Sequence, residues 1–240
     1  MTAFAGKVVL VTGVGRPGQI GHAVAGACGR AGASLVVADR DPGLVRDRAG
    51  ELERAGVPVV GVAGDLTTAA GARGAVDAAT LEFSGLDAVV NVAGGFVGAG
   101  ALADLTAEQV DRAFAINFRT AFNVCQAAAP VLARRGGGAI VNFASIAALR
   151  PSGALSAYAA AKAAVAGLTR ALAAELLPAK IRVNAVAPES VRTPENVAQM
   201  GADAPYVEME DLVRVVLFLA GDEARALSGE VVPLSTLRGR

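Results

Sequence analysis

Seven short runs of almost uninterrupted apolar residues punctuate the chain: KVVLVTG, ASLVVAD, VPVVGVAGD, LDAVVNVAG, GGAIVNFAS, IRVNAVAP and GEVVPL. None alternates apolar with polar, which is the pattern of strands covered on both faces. Between them lie longer Ala/Leu-rich stretches that predict helices over about residues 20–31, 43–55, 69–83, 106–133, 157–177 and 208–220. The helix from Thr106 opens on a capping box in which Gln109 can reach back to the cap. Strand and helix in strict alternation predict right-handed crossovers, and so an α/β fold with a doubly wound parallel sheet of about seven strands and helices on both faces. No linker or internal repeat divides the chain, so one domain over residues 1–240 is expected. The longest stretch without a pattern, residues 188–206, follows a strand at the sheet's carboxyl edge, where open α/β sheets bind ligands. A short substrate lid is expected there, around residues 189–207.

At 240 residues, 53% of them apolar and 18% charged, the chain can bury a large core. Its 22 basic and 22 acidic side chains leave no basic field, which argues against nucleic-acid and anionic-membrane partners. No apolar run reaches the roughly 18 residues of a membrane span, and the first residues lack a signal-peptide pattern. A cytoplasmic protein with a small-molecule partner is the expectation. Cys28 and Cys125 both fall in helical segments and read as small buried hydrophobes rather than a disulfide. No metal site is expected.

Candidate chemistry begins after the first strand. In TGVGRPGQIG, glycines 13, 15, 18 and 21 stand between a strand and a helix, where they permit a tight turn and close backbone approach to a pyrophosphate. Gly13, Gly15 and Gly18 spell G-x-G-x-x-G, and Gln19 and Ile20 lead into the helix beside them. The second strand ends at Asp39, about 20 residues beyond the loop, where a carboxylate accepts from both adenosine ribose hydroxyls and repels a 2′-phosphate. NAD is therefore preferred to NADP, although Arg16 and Arg40 stand close enough in sequence to hold a phosphate.

Tyr158 and Lys162 lie four residues apart in the helix SAYAAAKAAVAGLTRALAAEL and so share a face. A phenol, with a pKa of about 10, is a poor proton shuttle at neutral pH until a nearby cation favours its phenolate. Lys162 supplies such a cation. Reducing a carbonyl by hydride transfer needs a proton for the forming alkoxide, and Tyr158 can give it, or take it back in the reverse direction. Ser145 closes the fifth strand, where it can hydrogen-bond a substrate oxygen. Asn117 sits among apolar neighbours, so its amide must cap a backbone group or hold a water.

These residues, in this order and spacing, resemble the short-chain dehydrogenase/reductase family over essentially the whole chain: Thr12-Gly13 with its glycine loop, Asp65-Leu66, NVAG at 91–94, Asn117, Ser145, YAAAK at 158–162 and NAVAPESVRT at 184–193. The resemblance implies a Rossmann-type fold. It makes Tyr158 the general acid/base, with Lys162 tuning it and holding the cofactor ribose, Ser145 positioning the substrate oxygen and Asn117 anchoring a water in a proton relay. By the same resemblance Asp65 and Leu66 flank the adenine, Asn91, Ala93 and Gly94 the adenosine side, and Pro188, Val191 and Thr193 the nicotinamide. A homotetramer or homodimer packed through the helices at 106–133 and 157–177 is also implied.

Four features depart from the family pattern. The glycine loop is two residues longer than usual and is similar in length to that of divergent enoyl reductases, whose wider Tyr/Lys spacing this chain lacks. Glu189 replaces the glycine that normally follows Pro188, the lid is short, and the ending VVPLSTLRGR lacks the usual Asp-Gly-Gly. The expected activity is interconversion of a ketone and a secondary alcohol of apolar or 3-oxoacyl type, with Phe96, Val97, Leu149 and Ala154 near the pocket. A dihydropteridine-reductase-like or polyketide-type reductase with an open site is one alternative. A nucleotide-binding sensor or scaffold without turnover, suggested by Glu189 and the altered loop, is another.

Overall fold

Each of the seven apolar runs forms a strand in the computed structural model, which describes residues 3–236. They are β1 (Val8–Thr12), β2 (Ser34–Asp39), β3 (Val59–Ala63), β4 (Ala88–Asn91), β5 (Gly138–Phe143), β6 (Ile181–Pro188) and β7 (Val231–Leu234). All pair in parallel, in the order β3-β2-β1-β4-β5-β6-β7. The strand order reverses between β1 and β4, and that switch opens a crevice at their carboxyl ends. The helices are α1 (Ile20–Arg30), α2 (Pro42–Arg54), α3 (Ala69–Phe83), α4 (Ala107–Phe114), α5 (Thr120–Arg135), α6 (Ser156–Glu175), α7 (Pro194–Met200) and α8 (Met209–Ala220).

Continuous apolar strands serve two cores at once. On β1, Val9 and Val11 join a cluster with Val24 and Cys28 of α1 and with Leu212 and Val216 of α8. Val8 and Leu10 join a second cluster on the other face with α3 and α5, including Val76, Val124 and Leu132. Side chains alternate across a strand, so both sets are buried and neither face reaches water. Local signals start the helices: the Asp41 side chain accepts from Gly43 and Leu44 N–H, Thr68 from Gly71 N–H, and the Thr106/Gln109 capping box forms.

The helix expected over 106–133 is instead two, α4 and α5, joined by a π-turn at Ala115–Arg119. Side chains take over backbone acceptors there. Asn117 Nδ2 donates to Ala113 O at 3.0 Å and Thr120 Oγ1 to Ile116 O at 2.8 Å, in each case the carbonyl four residues back.

The lid also differs from the unpatterned stretch expected. It contains α7, started by the Thr193 cap with Pro194 in the first turn. A β-bridge between Val191 and Val207 closes its base. Tyr206 OH donates to Gly201 O at 2.7 Å, and the Arg192 guanidinium lies 4.7 Å from the Tyr206 ring centre while pairing with Glu208. Glu189 fastens this base to two other segments. Its Oε1 accepts from Arg150 NH1 at 3.1 Å, in the loop after Ser145, and its Oε2 from Thr236 N at 3.0 Å, beyond β7. The last part of the ending that departs from the family pattern, residues 237–240, lies outside the described residues.

Removing this half-buried tie with Glu189→Ala is expected to lower the unfolding free energy by about 1 kcal/mol, seen as a lower urea midpoint at unchanged slope. An unchanged midpoint would show that the tie does not hold the fold.

Candidate active site

The glycine loop leaves β1 and enters α1 beside the β1/β4 crevice. Gly13 has φ +72°, and a Cβ on it would stand 2.8 Å from Ala93 N, while one on Gly21 would run into the Gly13 carbonyl oxygen. Only glycine permits this three-way approach of backbones. Thr12 Oγ1 accepts from Ala93 N at 3.0 Å and locks the loop after β4 onto the end of β1. Gln19 caps α1 by position but gives it no side-chain hydrogen bond, so the first-turn N–H groups have no side-chain acceptor. An uncapped helix start behind a glycine turn suits a pyrophosphate. Ile20 and Gly21 are the first two residues of that helix. Gly18 sits farther out, where a Cβ would come within 2.9 Å of Pro194 on α7.

Asp39 ends β2 and faces this loop: Oδ2 accepts from Gly15 N at 2.9 Å and Oδ1 from Arg40 N at 2.7 Å. Each oxygen keeps a lone pair. Arg16 pairs with Glu195 of α7 at 2.7 Å, and the Arg40 charge acts on Asp65. Asp65 is exposed after β3, its carboxyl held below the usual range mainly by hydrogen bonds from Thr67 and further by Arg40. Leu66 is buried, and Asn123 of α5 fixes its carbonyl with a 3.0 Å bond.

Across the crevice, Asn91 is buried at the end of β4, with Ala93 and exposed Gly94 just beyond it. Asn117, in the π-turn, grips the adjoining loop: Nδ2 donates to Gly95 O at 3.0 Å and Oδ1 accepts from Gly95 N at 3.1 Å. Its amide therefore caps backbone groups, one of the two roles open to it from sequence. With both Nδ2 hydrogens and one Oδ1 lone pair engaged, one lone pair is left for a water. A Cβ on Gly94 would meet Asn117 Oδ1 at 2.7 Å and Lys162 Nζ at 3.5 Å, so these three converge on one point.

Ser145, Tyr158 and Lys162 meet at the carboxyl edge of β5. Ser145 is buried just past the strand, with its Oγ held by Ala147 N at 3.3 Å. Burial pushes the Tyr158 phenol above its ordinary value, and a hydrogen bond with Ser145 pulls the other way. Lys162 lies behind, only 5% exposed, with Nζ donating to Phe143 O at 2.8 Å and standing 5.9 Å from the Tyr158 ring centre. Burial lowers its pKa to about 8.

Phe96 packs edge-on against Tyr158, ring centres 5.5 Å apart, and Gly100 N donates to Ala154 O at 3.0 Å. The loops carrying Phe96, Val97 and Ala154 thus meet beside the tyrosine, with Phe96 exposed there. Pro188 ends β6, and Val191 and Thr193 are both 3% exposed at the foot of the lid. Glu189, next to Pro188, turns to Arg150 and Thr236. Sequence reasoning missed Thr120, Asn123, Asn142 and Thr169, polar residues buried in helices and strands. Only their polarity inside apolar runs marked them.

The family model described as short chain dehydrogenase matches residues 7–203. Among curated relatives, the 2-(S)-hydroxypropyl-CoM dehydrogenase 3 of Xanthobacter autotrophicus is 34% identical over 239 residues, covering 93% of this chain and 92% of its own. Levodione reductase of Leifsonia aquatica is 32% identical, covering 97% and 94%. Among solved structures, a short-chain type dehydrogenase/reductase from Mycobacterium ulcerans superposes with TM-score 0.90 at 31% identity, covering 96% of this chain and 88% of that one. A 7α-hydroxysteroid dehydrogenase complexed with NADH and 7-oxo glycochenodeoxycholic acid superposes with TM-score 0.88 at 29% identity, covering 98% and 95%. With a matching family model and relatives spanning nearly its full length, the chain belongs to the short-chain dehydrogenase/reductase family, oxidoreductases of CH–OH and C=O groups that use NAD(P).

Proposed function

We propose that the protein interconverts a ketone and a secondary alcohol with Tyr158 as general acid/base and with NAD as the preferred cofactor. The observation that carries this reading is the convergence of Ser145, Tyr158 and Lys162 beside the loop of Gly94. A bound nicotinamide supplies or accepts the hydride. Gly13, Gly18, Gln19, Ile20 and Gly21 take the pyrophosphate end, Asp65 and Leu66 flank the adenine, and Asn91, Ala93 and Gly94 line the adenosine side. Pro188, Val191 and Thr193 face the carboxamide end. Lys162 holds the nicotinamide ribose.

In the reducing direction Ser145 holds the substrate oxygen and Tyr158 donates its phenolic proton to it. Lys162 stabilises the phenolate left behind, and a water on the remaining Asn117 lone pair returns the proton. Asp39 selects NAD through its two oxygens, and the nearby Arg16 is paired with Glu195. Phe96 presents apolar surface against Tyr158, which favours an apolar or acyl-bearing substrate. Glu189, which together with the altered glycine loop suggested a silent nucleotide-binding scaffold, turns to Arg150 and Thr236 N. A homotetramer or homodimer through α4, α5 and α6 is proposed on the exposed Val110 and Phe122, the latter 6.0 Å from Phe118.

Tyr158→Phe is expected to reduce turnover at least about 100-fold while NADH binding, read by fluorescence titration, is kept; undiminished turnover would remove Tyr158 from the chemistry. Alcohol oxidation needs Tyr158 deprotonated, so its rate is expected to climb from neutral into alkaline pH. A rate that fell on that side would exclude the phenol as base. Asp39→Ala should relax discrimination against NADP about tenfold or more, measured as the ratio of kcat/KM for the two cofactors. An unchanged ratio would assign selection to another residue.

A further inference from the structure

A chain of hydrogen bonds runs through the sheet beneath the site. Asn91 Nδ2 donates to Asn142 Oδ1 at 2.9 Å, Asn142 Nδ2 to Thr169 Oγ1 at 3.0 Å, and Thr169 Oγ1 to Val165 O at 2.9 Å. Asn91 and Asn142 are register partners on β4 and β5. Asn142 and Thr169 are completely buried and Asn91 is 3% exposed. Cys125 closes the side of the amide pair, 3.4 Å from Asn91 Nδ2, and burial pushes its thiol up to about 12, so it stays neutral. Buried amides without partners are expensive, so this chain holds only if every member keeps its place.

The three segments it joins are those that build the site. Asn91 precedes the loop of Ala93 and Gly94, Asn142 stands three residues before Ser145, and Thr169 lies seven residues after Lys162 on α6. Seven residues make almost two helical turns, about 10 Å along the axis, and eleven make just over three. Thr169 therefore lies on the same stripe of α6 as Lys162 and Tyr158. A slide or rotation of α6 against β5 must break either this bond or the one from Lys162 to Phe143 O.

We propose that Asn142 and Thr169 are positioning residues whose hydrogen bond sets the height and rotation of α6 against β5, and so the alignment of Tyr158 with Ser145. The proposal rests on the catalytic reading of Tyr158 only for the use made of that alignment. The alignment itself can be measured without a substrate. The chain has two tyrosines and no tryptophan, so in a Tyr206→Phe background the ionisation of Tyr158 is read directly by ultraviolet absorbance. Losing the Ser145 bond takes away an influence that pulls the phenol's pKa down.

Adding Thr169→Val to that background, which keeps shape and removes the hydroxyl, is expected to move the midpoint up by about half a pH unit or more. Thr169→Ser should restore it, with NADH affinity within about twofold in both. Asn142→Ser, too short to reach Thr169, should shift it in the same direction and serves if Thr169→Val does not fold. An unchanged midpoint in a folded Thr169→Val or Asn142→Ser protein overturns the proposal. So does a shift that Thr169→Ser fails to reverse, since the methyl packing rather than the bond would then be responsible. An active Tyr158→Phe enzyme would overturn the catalytic reading and leave this result standing.

Discussion

A buried lysine ammonium is the constraint around which this site is organised. Taking a cation out of water is costly unless its N–H groups find acceptors, and Lys162 finds one in Phe143 O. That bond fixes the middle of α6 to the last residue of β5, directly beneath Ser145. Burial brings the lysine's pKa only to about 8, so it remains largely cationic at neutral pH. Its other two donors are left for the crevice, where Gly94 and Asn117 converge on the same point. A positive group pressed against a backbone carbonyl, with no carboxylate partner among the described residues, is poised for sugar hydroxyls and for a phenolate.

The rest of the fold can be understood as the means of holding that arrangement. The topological switch between β1 and β4 places the glycine turn and the loop after β4 side by side, and Thr12 ties them at their closest point. The π-turn gives up regular helix geometry so that Asn117 can hold the loop at Gly95. Regular structure is sacrificed where side chains must reach backbone, and the surrounding strands, buried on both faces, absorb the loss.

Much of this was legible in the sequence. Continuous apolar runs gave all seven strands, because parallel strands covered on both faces leave no polar alternation to blur the signal. Tyr158, Lys162 and Ser145 were legible by spacing and by position at strand and helix ends. The break between α4 and α5 was not, since Asn117 and Thr120 keep good helical periodicity and act only through the carbonyls they capture. The helix in the lid had its signal in Thr193-Pro194-Glu195, but its seven residues are too few to show a period. Asn142 and Thr169 look like ordinary interruptions in apolar runs, and their meaning comes from a strand register and a helix contact that join residues far apart in the chain. The direction in which Glu189 turns was likewise hidden, because its partners, Arg150 and Thr236, come from two distant loops.

The glycine loop and the lid each depart from the family pattern, one by being long and the other by being short. They meet in space, through Arg16 with Glu195 and through Gly18 against Pro194. What the lid gives up in reach, the loop supplies. Shortening the loop alone would cost the lid its ion pair with Arg16 and its contact at Gly18. The long loop thus braces the foot of the short lid from the side, so the turn that faces the pyrophosphate and the segment that covers the substrate move as neighbours rather than independently.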